Sequence, residues 1–249
     1  MTISEFFETG VVGRYFFDHS ADTIATIAMI IAAFVVMIAA YLLGSINFAI
    51  IISGKQYKQD IRQFGSKNAG MTNMMRTYGK KAAGYTLLGD ALKAVVSCII
   101  GYALIGHLGA YIAGLFCILG HIFPVYYKFK GGKGVVTTAI SILMCDPFVF
   151  LILITIFVII VAFTKYISLG SVICVMLYPI LLDRFSHFFN GQATPYAVFA
   201  IIIAILVVVK HRTNIKRLFQ GKESKFSFKK SVKATESNEV KEAKEENDK

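Results

Sequence analysis

Apolar residues in this chain occur in long blocks, and short polar segments separate them. The blocks cover residues 22–52, 82–106, 108–127, 135–145, 147–164, 167–182 and 195–209. An α-helix needs about 17–25 apolar residues to cross a bilayer, so the pattern predicts an all-α, polytopic membrane protein with about seven transmembrane helices. The first block is longer than one crossing requires and the fourth is shorter, so the pattern defines those two boundaries least well.

The composition supports this fold class. The chain has 249 residues, of which 56% are hydrophobic and 16% are charged, and its mean hydropathy is +0.63. A soluble domain of this size is about a quarter charged. We therefore expect one integral membrane domain over residues 22–225. Residues 1–21 lack the lysine-rich start and cleavage signal of a signal peptide, and residues 226–249 turn from basic to acidic and are expected to be disordered.

Lysine and arginine residues predict the orientation in the membrane, because such residues close to a span stay in the cytoplasm. Residues 53–81 hold seven of them, residues 128–133 hold three, and the segment from Lys210 onward holds twelve. Seven crossings with the N-terminus outside and the C-terminus in the cytoplasm place all these segments on the cytoplasmic face. Five crossings, with one or two short re-entrant spans, give the same sidedness. The net charge of +11 is therefore mostly a consequence of topology, and no basic soluble domain is present to bind nucleic acid.

The segment KFKGGKGVVT, residues Lys128–Thr137, has the composition of a phosphate-binding loop. Glycines allow backbone N–H groups to converge on an anion, and the helix that follows offers its N-terminus. The candidate residues are Lys130, Gly131, Gly132, Lys133 and Gly134. We expect positive φ at Gly132. The order of residues is not that of a nucleotide P-loop, and a flexible turn with lysines that extend to the interface is the structural alternative.

A second polar stretch, residues Gly65–Arg76, alternates small and polar residues close to Arg62. Such a stretch can place several N–H, hydroxyl and amide donors around one anion, although turn chemistry also favours Gly, Ser and Asn. The candidate residues are Arg62, Ser66, Asn68, Thr72, Asn73 and Arg76.

Polar side chains also occur inside the apolar blocks. His121 lies near the end of the third block, before Pro124, and a lone histidine in a span suggests a function, with packing as the alternative. Asp90 and Lys93 are three residues apart, so they share a helix face in the second block. A structural ion pair and a functional one are equally compatible with that spacing.

Two further segments follow apolar blocks on the expected cytoplasmic side. In KYISLGS, Ser168 and Ser171 can donate hydrogen bonds to a ligand or cap a helix. In HRTNIKRLFQGKESK, His211 and Asn214 have helical spacing and share a face.

Together these segments resemble bacterial membrane-integral glycerol-3-phosphate acyltransferases that use acyl phosphate as the donor. The matching motifs are GSIN (Gly44–Asn47), GSKNAGMTNMMR, GHIFPVYYKFKGGKGVVT, KYISLGS and HRTNIKRLFQGKE. The resemblance covers Tyr41 to Lys225. It departs from the family's usual residues at Asn47, Ala69, Met71 and Lys222, which brings substrate preference into question more than activity.

The resemblance implies transfer of a fatty acyl group from acyl phosphate to the first hydroxyl of glycerol 3-phosphate, giving lysophosphatidic acid for phospholipid biosynthesis. It implies a multi-pass protein of the cell inner or plasma membrane with a cytoplasmic active site. Its partners would be the two substrates and membrane lipid, without a cofactor or metal. A transporter for organic phosphates is the alternative, but it favours internal repeats, and the sequence shows none. A scaffold that merely holds anionic lipid is a third possibility.

The family's site residues are carried over position by position. The first phosphate site would comprise Ser45, Arg62, Ser66, Asn68, Thr72, Asn73 and Arg76. The second would comprise Lys130, Gly131, Gly132, Lys133 and Gly134, with Ser168 and Ser171 nearby. The residues His121, His211, Asn214 and Glu223 would orient the acceptor or close the site. The catalytic candidates are His211, Asn214, Asn73 and His121. Which loop holds which phosphate stays open, as does whether the hydroxyl proton goes to His211 or to a phosphate oxygen.

Overall fold

A computed structural model describes residues 3–19 and 22–226 of the chain. Its regular secondary structure within these residues is helical throughout, which confirms the all-α fold class. Two compact units are present: Met1–Ile46 with Asp90–Lys225, called here the larger unit, and Asn47–Gly89 with Phe226–Lys249, the smaller unit. The tail predicted to be disordered lies outside the described residues from residue 227 onward.

The described residues contain ten α-helices. They are α1 (Ile3–Asp18), α2 (Thr23–Ser45), α3 (Phe48–Tyr57), α4 (Met71–Tyr78), α5 (Lys80–Ile122), α6 (Val135–Cys145), α7 (Pro147–Thr164), α8 (Ile167–Asn190), α9 (Ala197–Lys210) and α10 (Arg212–Phe219). Short 3-10 helices occupy Ile61–Gln63 and Val125–Tyr127. The hydrophobic pattern did not predict α1 or α4, since neither is a continuous apolar block.

The first apolar block contains two helices rather than one. α2 ends at Ser45, and Asn47 begins α3 by accepting a hydrogen bond from the backbone N–H of Ile50 at 3.2 Å. An asparagine at this position competes with the helix for backbone hydrogen bonds and so favours a helix start. The excess length of the block is therefore explained by a break at Ile46.

α5 is a helical hairpin that folds back at Gly106. Gly106 has φ of 67° and ψ of −146°, which no residue inside a helix adopts. Lys93 Nζ lies 2.9 Å from His121 Nδ1, whereas a straight helix would separate the two residues by about 42 Å along its axis. A Cβ atom on Gly101 would lie 2.2 Å from the carbonyl oxygen of Gly109, so glycine permits the two arms to touch. The two predicted blocks 82–106 and 108–127 correspond to these arms.

Four helical stretches within the described residues are long and apolar enough to cross a membrane, or five if α9 and α10 form one span bent by 60°. This count takes Lys80–Tyr127 as one stretch although α5 folds back, and it leaves out α6 because that apolar helix is short. Side chains on α7 such as Phe163, which is 85% exposed, present apolar surface outward, as lipid-facing helices do. The number of seven crossings and the sidedness of both termini stay predictions.

The core of the larger unit lies between the second arm of α5 and helices α6 to α9. Ile118, Tyr178 and Val207 are almost fully buried there, and α8 packs against both α7 and α9. In the smaller unit, Ile61, Ala69 and Met74 form the buried centre beneath the Gly65–Arg76 stretch. Each unit thus holds its own candidate loops on a packed base.

Candidate functional site

A hydrogen-bonded network in the larger unit joins three segments that are far apart in the chain. Lys133 Nζ donates to Asn214 Oδ1. Asn214 Nδ2 donates to Glu223 Oε1 at 2.6 Å, and Ser168 Oγ donates to the same oxygen at 2.8 Å. Arg217 Nε donates to Glu223 Oε2 at 2.7 Å. The structure therefore brings together the candidates Lys133, Ser168, Asn214 and Glu223. The Glu223 carboxylate accepts from Asn214, Ser168 and Arg217, and Lys133 joins the network through Asn214.

Local structure explains how Glu223 reaches this network. The chain bends between α9 and α10, and α10 presents Asn214 and Arg217. Gly221 then adopts φ of +65°, and Lys222 N–H donates to the carbonyl of Arg217 at 2.8 Å. Positive φ is readily adopted by glycine, so the chain reverses after α10 and Glu223 returns to the side of Asn214.

Charged donors determine the ionisation of Glu223. Its side chain is 5% exposed, and burial alone would raise its pKa. The hydrogen bonds from Arg217, Asn214 and Ser168 outweigh burial and lower the pKa below its ordinary value. With Glu223 ionised, the cations Lys133 and Arg217 leave the network with an excess of positive charge. Such a site attracts anions.

His211 lies at the junction of α9 and α10 and is 2% exposed. Its Nδ1 is 2.8 Å from the carbonyl oxygen of Val207. A carbonyl only accepts, so Nδ1 carries a proton and Nε2 of the neutral ring keeps its lone pair. This tautomer can accept a proton at Nε2.

The glycine segment is built differently from the expected cradle. Gly131 N–H donates to the carbonyl of Ile122 at 3.3 Å, and Gly132 N–H donates to the carbonyl of His121 at 3.1 Å. These two amides therefore bind the end of α5 instead of being aimed at a ligand. The expected positive φ at Gly132 is wrong: the glycine with positive φ in this segment is Gly134, at +77°, which begins α6.

Glycine is nevertheless required at this segment for a steric reason. A Cβ atom on Gly131 would lie 2.0 Å from the carbonyl oxygen of His121, so a larger residue would push the segment away from α5. Gly134 then leads into the N-terminus of α6, where Thr137 Oγ1 donates to the carbonyl of Gly134 at 2.9 Å. Lys130 and Lys133 flank this turn, and Lys130 is exposed.

Three other candidates have hydrogen-bond partners elsewhere in the protein. Ser171 Oγ donates to the carbonyl of Ile167 at 2.8 Å. Ser45 Oγ donates to the carbonyl of Tyr41 at 2.8 Å and accepts from the N–H of Val125 at 3.3 Å. His121 is buried beside Lys93. None of the three is a member of the Glu223 network.

In the smaller unit, Asn73 organises the Gly65–Arg76 stretch. Its Oδ1 accepts from Ser66 N–H at 2.9 Å, and its Nδ2 donates to the carbonyls of Ile61 at 3.2 Å and Phe64 at 3.0 Å. It is 1% exposed. Asn73 therefore holds the loop in shape.

The remaining candidates of the smaller unit lie around that loop. Ser66 is exposed, and Asn68, Thr72 and Arg76 are partly exposed. Arg62 Nη2 pairs with Asp60 Oδ2 at 2.7 Å, and the hydrogen bond from Arg62 is the main cause that lowers the pKa of that carboxyl. These residues stay candidates for binding an anion.

Sequence reasoning missed the partners of some candidate residues. Arg217 was not among the candidate residues, and Asp60 was not considered beside Arg62. The signal for Arg217 was available, because a glycine turn between a basic helix and a glutamate can bring the two charges together. No group of three or more His, Cys, Asp or Glu side chains in the described ranges is arranged to hold a metal ion.

Comparison with known proteins points to one family. A family model described as Glycerol-3-phosphate acyltransferase matches residues 34–221. The glycerol-3-phosphate acyltransferase of Finegoldia magna is 44% identical over 191 residues, covering 76% of this chain and 93% of that protein. The enzyme of the same name from Thermoanaerobacter pseudethanolicus is 42% identical over 196 residues, with 79% and 96% covered.

Solved structures give the same result. The crystal structure of PlsY (YgiH), an integral membrane glycerol 3-phosphate acyltransferase, in its glycerol 3-phosphate form matches with a TM-score of 0.71 and 34% identity. The match covers 78% of this chain and 96% of that chain. The lysophosphatidic acid form of PlsY matches with a TM-score of 0.68 and 33% identity, with 79% and 96% covered.

Proposed function

This chain belongs to the glycerol-3-phosphate acyltransferase family, and on that premise we propose that it transfers a fatty acyl group from acyl phosphate to glycerol 3-phosphate. The products are lysophosphatidic acid and inorganic phosphate, the former a precursor of phospholipids. The observation that supports this most is the Lys133–Asn214–Glu223–Ser168 network beside Arg217, because its excess positive charge suits a phosphate group. The related proteins are named as acyltransferases, which does not support the transporter alternative.

In the proposed reaction, the first hydroxyl oxygen of glycerol 3-phosphate attacks the carbonyl carbon of acyl phosphate. The bond from that carbon to the phosphate oxygen breaks, and phosphate leaves with the electron pair. The donor is already activated, so no acyl-enzyme intermediate is required. None of the five histidines has an aspartate five residues away, which disfavours the His/Asp arrangement of another acyltransferase class. The protein therefore needs to position the two substrates and to neutralise the charge of their phosphate groups.

Specific residues are assigned to these contributions. Lys133 neutralises phosphate charge, and Asn214 and Glu223 hold Lys133 in place. His211 Nε2 can take the proton of the hydroxyl, with a phosphate oxygen of the substrate as the other acceptor. Lys130 adds charge at the exposed edge of the same segment.

The smaller unit contributes a loop that by itself suits one phosphate. Asn73 and Gly65 shape the loop, and the donors around it are Ser66, Asn68, Thr72 and Arg76. Ser45, Ser171 and His121 are proposed to support the site, since their polar groups have protein partners.

The deciding experiment supplies purified protein in detergent with acyl phosphate and labelled glycerol 3-phosphate. We expect labelled lysophosphatidic acid and release of phosphate, and no loss of activity with a chelator. Proteoliposomes provide the contrast: labelled glycerol 3-phosphate that accumulates inside unchanged would favour a transporter. Failure to form product, in an assay where a related family enzyme is active, would refute the proposal.

We also propose that the active site faces the cytoplasm. Cysteines introduced at Lys67, Lys133 and Lys222 should react with impermeant reagents only from the cytoplasmic side, and one at Glu8 only from outside. The distribution of basic residues supports this arrangement. Labelling of Lys67 and Lys133 positions from opposite sides would exclude it.

A further inference from the structure

Lys93 is the centre of a buried polar cluster, and the proposed chemistry gives Lys93 itself no role. Its side chain is 3% exposed, and Nζ donates to the carbonyls of Gly44 at 3.0 Å and Ile46 at 2.8 Å. The same ammonium lies 2.9 Å from His121 Nδ1. An ammonium group has only donors, so His121 Nδ1 is the acceptor and its ring proton is on Nε2. Asp90 Oδ1, at 2.8 Å from Nζ, balances the charge.

The two carbonyls belong to the end of α2, and His121 belongs to the end of α5. Carbonyls at the end of a helix have no partner within the helix, and the negative end of the helix dipole favours a cation there. The backbones of the two helices are close enough for this contact because of glycine. A Cβ atom on Gly44 would lie 2.2 Å from the carbonyl oxygen of Cys117, and one on Gly120 would lie 2.2 Å from the carbonyl oxygen of Tyr41.

Both helix ends lead directly to residues assigned to the site. Ser45 lies between the two carbonyls that Lys93 binds. The carbonyls of His121 and Ile122 accept the N–H groups of Gly132 and Gly131. Lys133 follows at once. The contacts therefore run from Lys93 through the end of α5 to the segment that carries Lys133.

We propose that Lys93 is a positioning residue for acyl transfer, whose ammonium group fastens the end of α2 to the end of α5 and so holds the Gly131–Lys133 segment in register. An ion pair inside a membrane domain is costly, and an apolar side chain would pack two helices without that cost. The three N–H groups of the Lys93 ammonium, bound to two carbonyls and to His121 Nδ1, instead define one relative placement of the two helix ends. This inference rests on the proposed function only for its catalytic readout.

The test uses three variants of the full-length protein in detergent. Asp90→Asn/Lys93→Met removes both charges together, so no unpaired charge stays buried. Lys93→Arg keeps the charge but changes the directions of the donors. Ser97→Ala is the matched control, because Ser97 is buried one turn further along α5 and its hydroxyl donates to the carbonyl of Lys93 at 2.7 Å. Each variant is measured for kcat, KM, unfolding temperature and amide hydrogen exchange.

The positioning role predicts that kcat falls roughly ten- to a hundred-fold in the double variant, since misplacement by about 1 Å has effects of that size. The amides of Gly131 and Gly132 should exchange faster, while the unfolding temperature stays close to that of the Ser97→Ala control. Lys93→Arg should show the same two changes to a smaller extent. If the double variant does not fold, Lys93→Arg alone decides.

Wild-type kcat and wild-type exchange at Gly131 and Gly132 in a folded variant would overturn the proposal, leaving Lys93 as a compensating charge only. Faster exchange everywhere with a lower unfolding temperature would overturn it as well, because that is loss of stability without specific positioning. If the wild-type protein itself made no lysophosphatidic acid, the proposed function would fail, and the exchange measurement would still judge the contact between the helix ends.

Discussion

Two carboxylates in the larger unit, the buried Glu223 and the partly buried Asp146, have similar numbers of hydrogen-bond partners but pKa values shifted in opposite directions. Glu223 accepts from Arg217, Asn214 and Ser168. Asp146, between α6 and α7, accepts from Tyr111 at 2.7 Å and from Tyr178 at 3.1 Å. Asp146 precedes α7 and Ser168 follows it, so the 18 residues of that helix separate the two sites by about 27 Å.

The difference lies in the charge of the donors. Burial raises the pKa of Asp146, and the two phenol hydroxyls only partly oppose that effect. Around Glu223, a guanidinium is among the donors, and the pKa is lowered. Phenol donors alone therefore leave the pKa of Asp146 raised, whereas donors that include a guanidinium lower the pKa of Glu223. The Glu223 region is suited to an anion, and the Asp146 region is suited to holding helix ends together.

The largest effect is expected from Lys133→Ala. Removing a charge-assisted contact to phosphate should lower kcat/KM roughly ten- to a hundred-fold. Lys128→Ala should change little, because Lys128 is exposed before the segment and contacts at the membrane border are loose. Steady-state kinetics on both variants at equal expression measure the ranking. Equal losses would mean that the lysines form only a diffuse basic surface.

A matched pair of neutral substitutions sharpens the comparison between the carboxylates. Glu223→Gln removes the charge that Arg217 and Asn214 bind, and we expect kcat/KM to fall about tenfold. Asp146→Asn keeps the size of the side chain and removes a charge that burial disfavours, so activity should stay within about twofold. Similar losses in the two variants would show that the Asp146 region also serves catalysis.

The smallest expected effect is a change in stability on acidification, and its sign should differ between Glu223 and Asp146. The pKa of Glu223 is lower in the folded protein than in the unfolded chain, so its contribution to stability is present at neutral pH and is lost as pH falls below about 4.5. The pKa of Asp146 is raised on folding, so protonation of Asp146 favours the folded state and its contribution to stability increases as pH falls.

Thermal unfolding of wild type, Glu223→Gln and Asp146→Asn at neutral pH and near pH 4 measures these opposite signs. The difference between wild type and Glu223→Gln should shrink on acidification. Wild type should gain stability relative to Asp146→Asn over the same range. Shifts in the same direction for both pairs would contradict the assigned donors.

The sequence by itself determined the helical membrane architecture and most candidate residue types. A lipid-facing helix needs apolar residues along its own length, so its position can be predicted from the local sequence. The arms of α5 and helices α7 and α8 accordingly lie close to the predicted apolar blocks. Glycine, lysine and asparagine in the polar segments predicted anion binding, and that assignment stays a prediction. The family resemblance supplied their grouping, and the comparisons confirmed the family.

Tertiary structure alone decided what each of these groups touches. Lys133 meets Asn214 across 81 residues of chain, Ser168 meets Glu223 across 55, and Lys93 meets His121 across 28. The amides of Gly131 and Gly132 proved to bind the end of α5, and the positive φ belongs to Gly134. A local pattern reports a residue's preference for helix, turn or lipid, but not the distance to a residue on another helix. That distance is set by how the helices pack. Packing places a guanidinium beside Glu223 and two tyrosine hydroxyls beside Asp146.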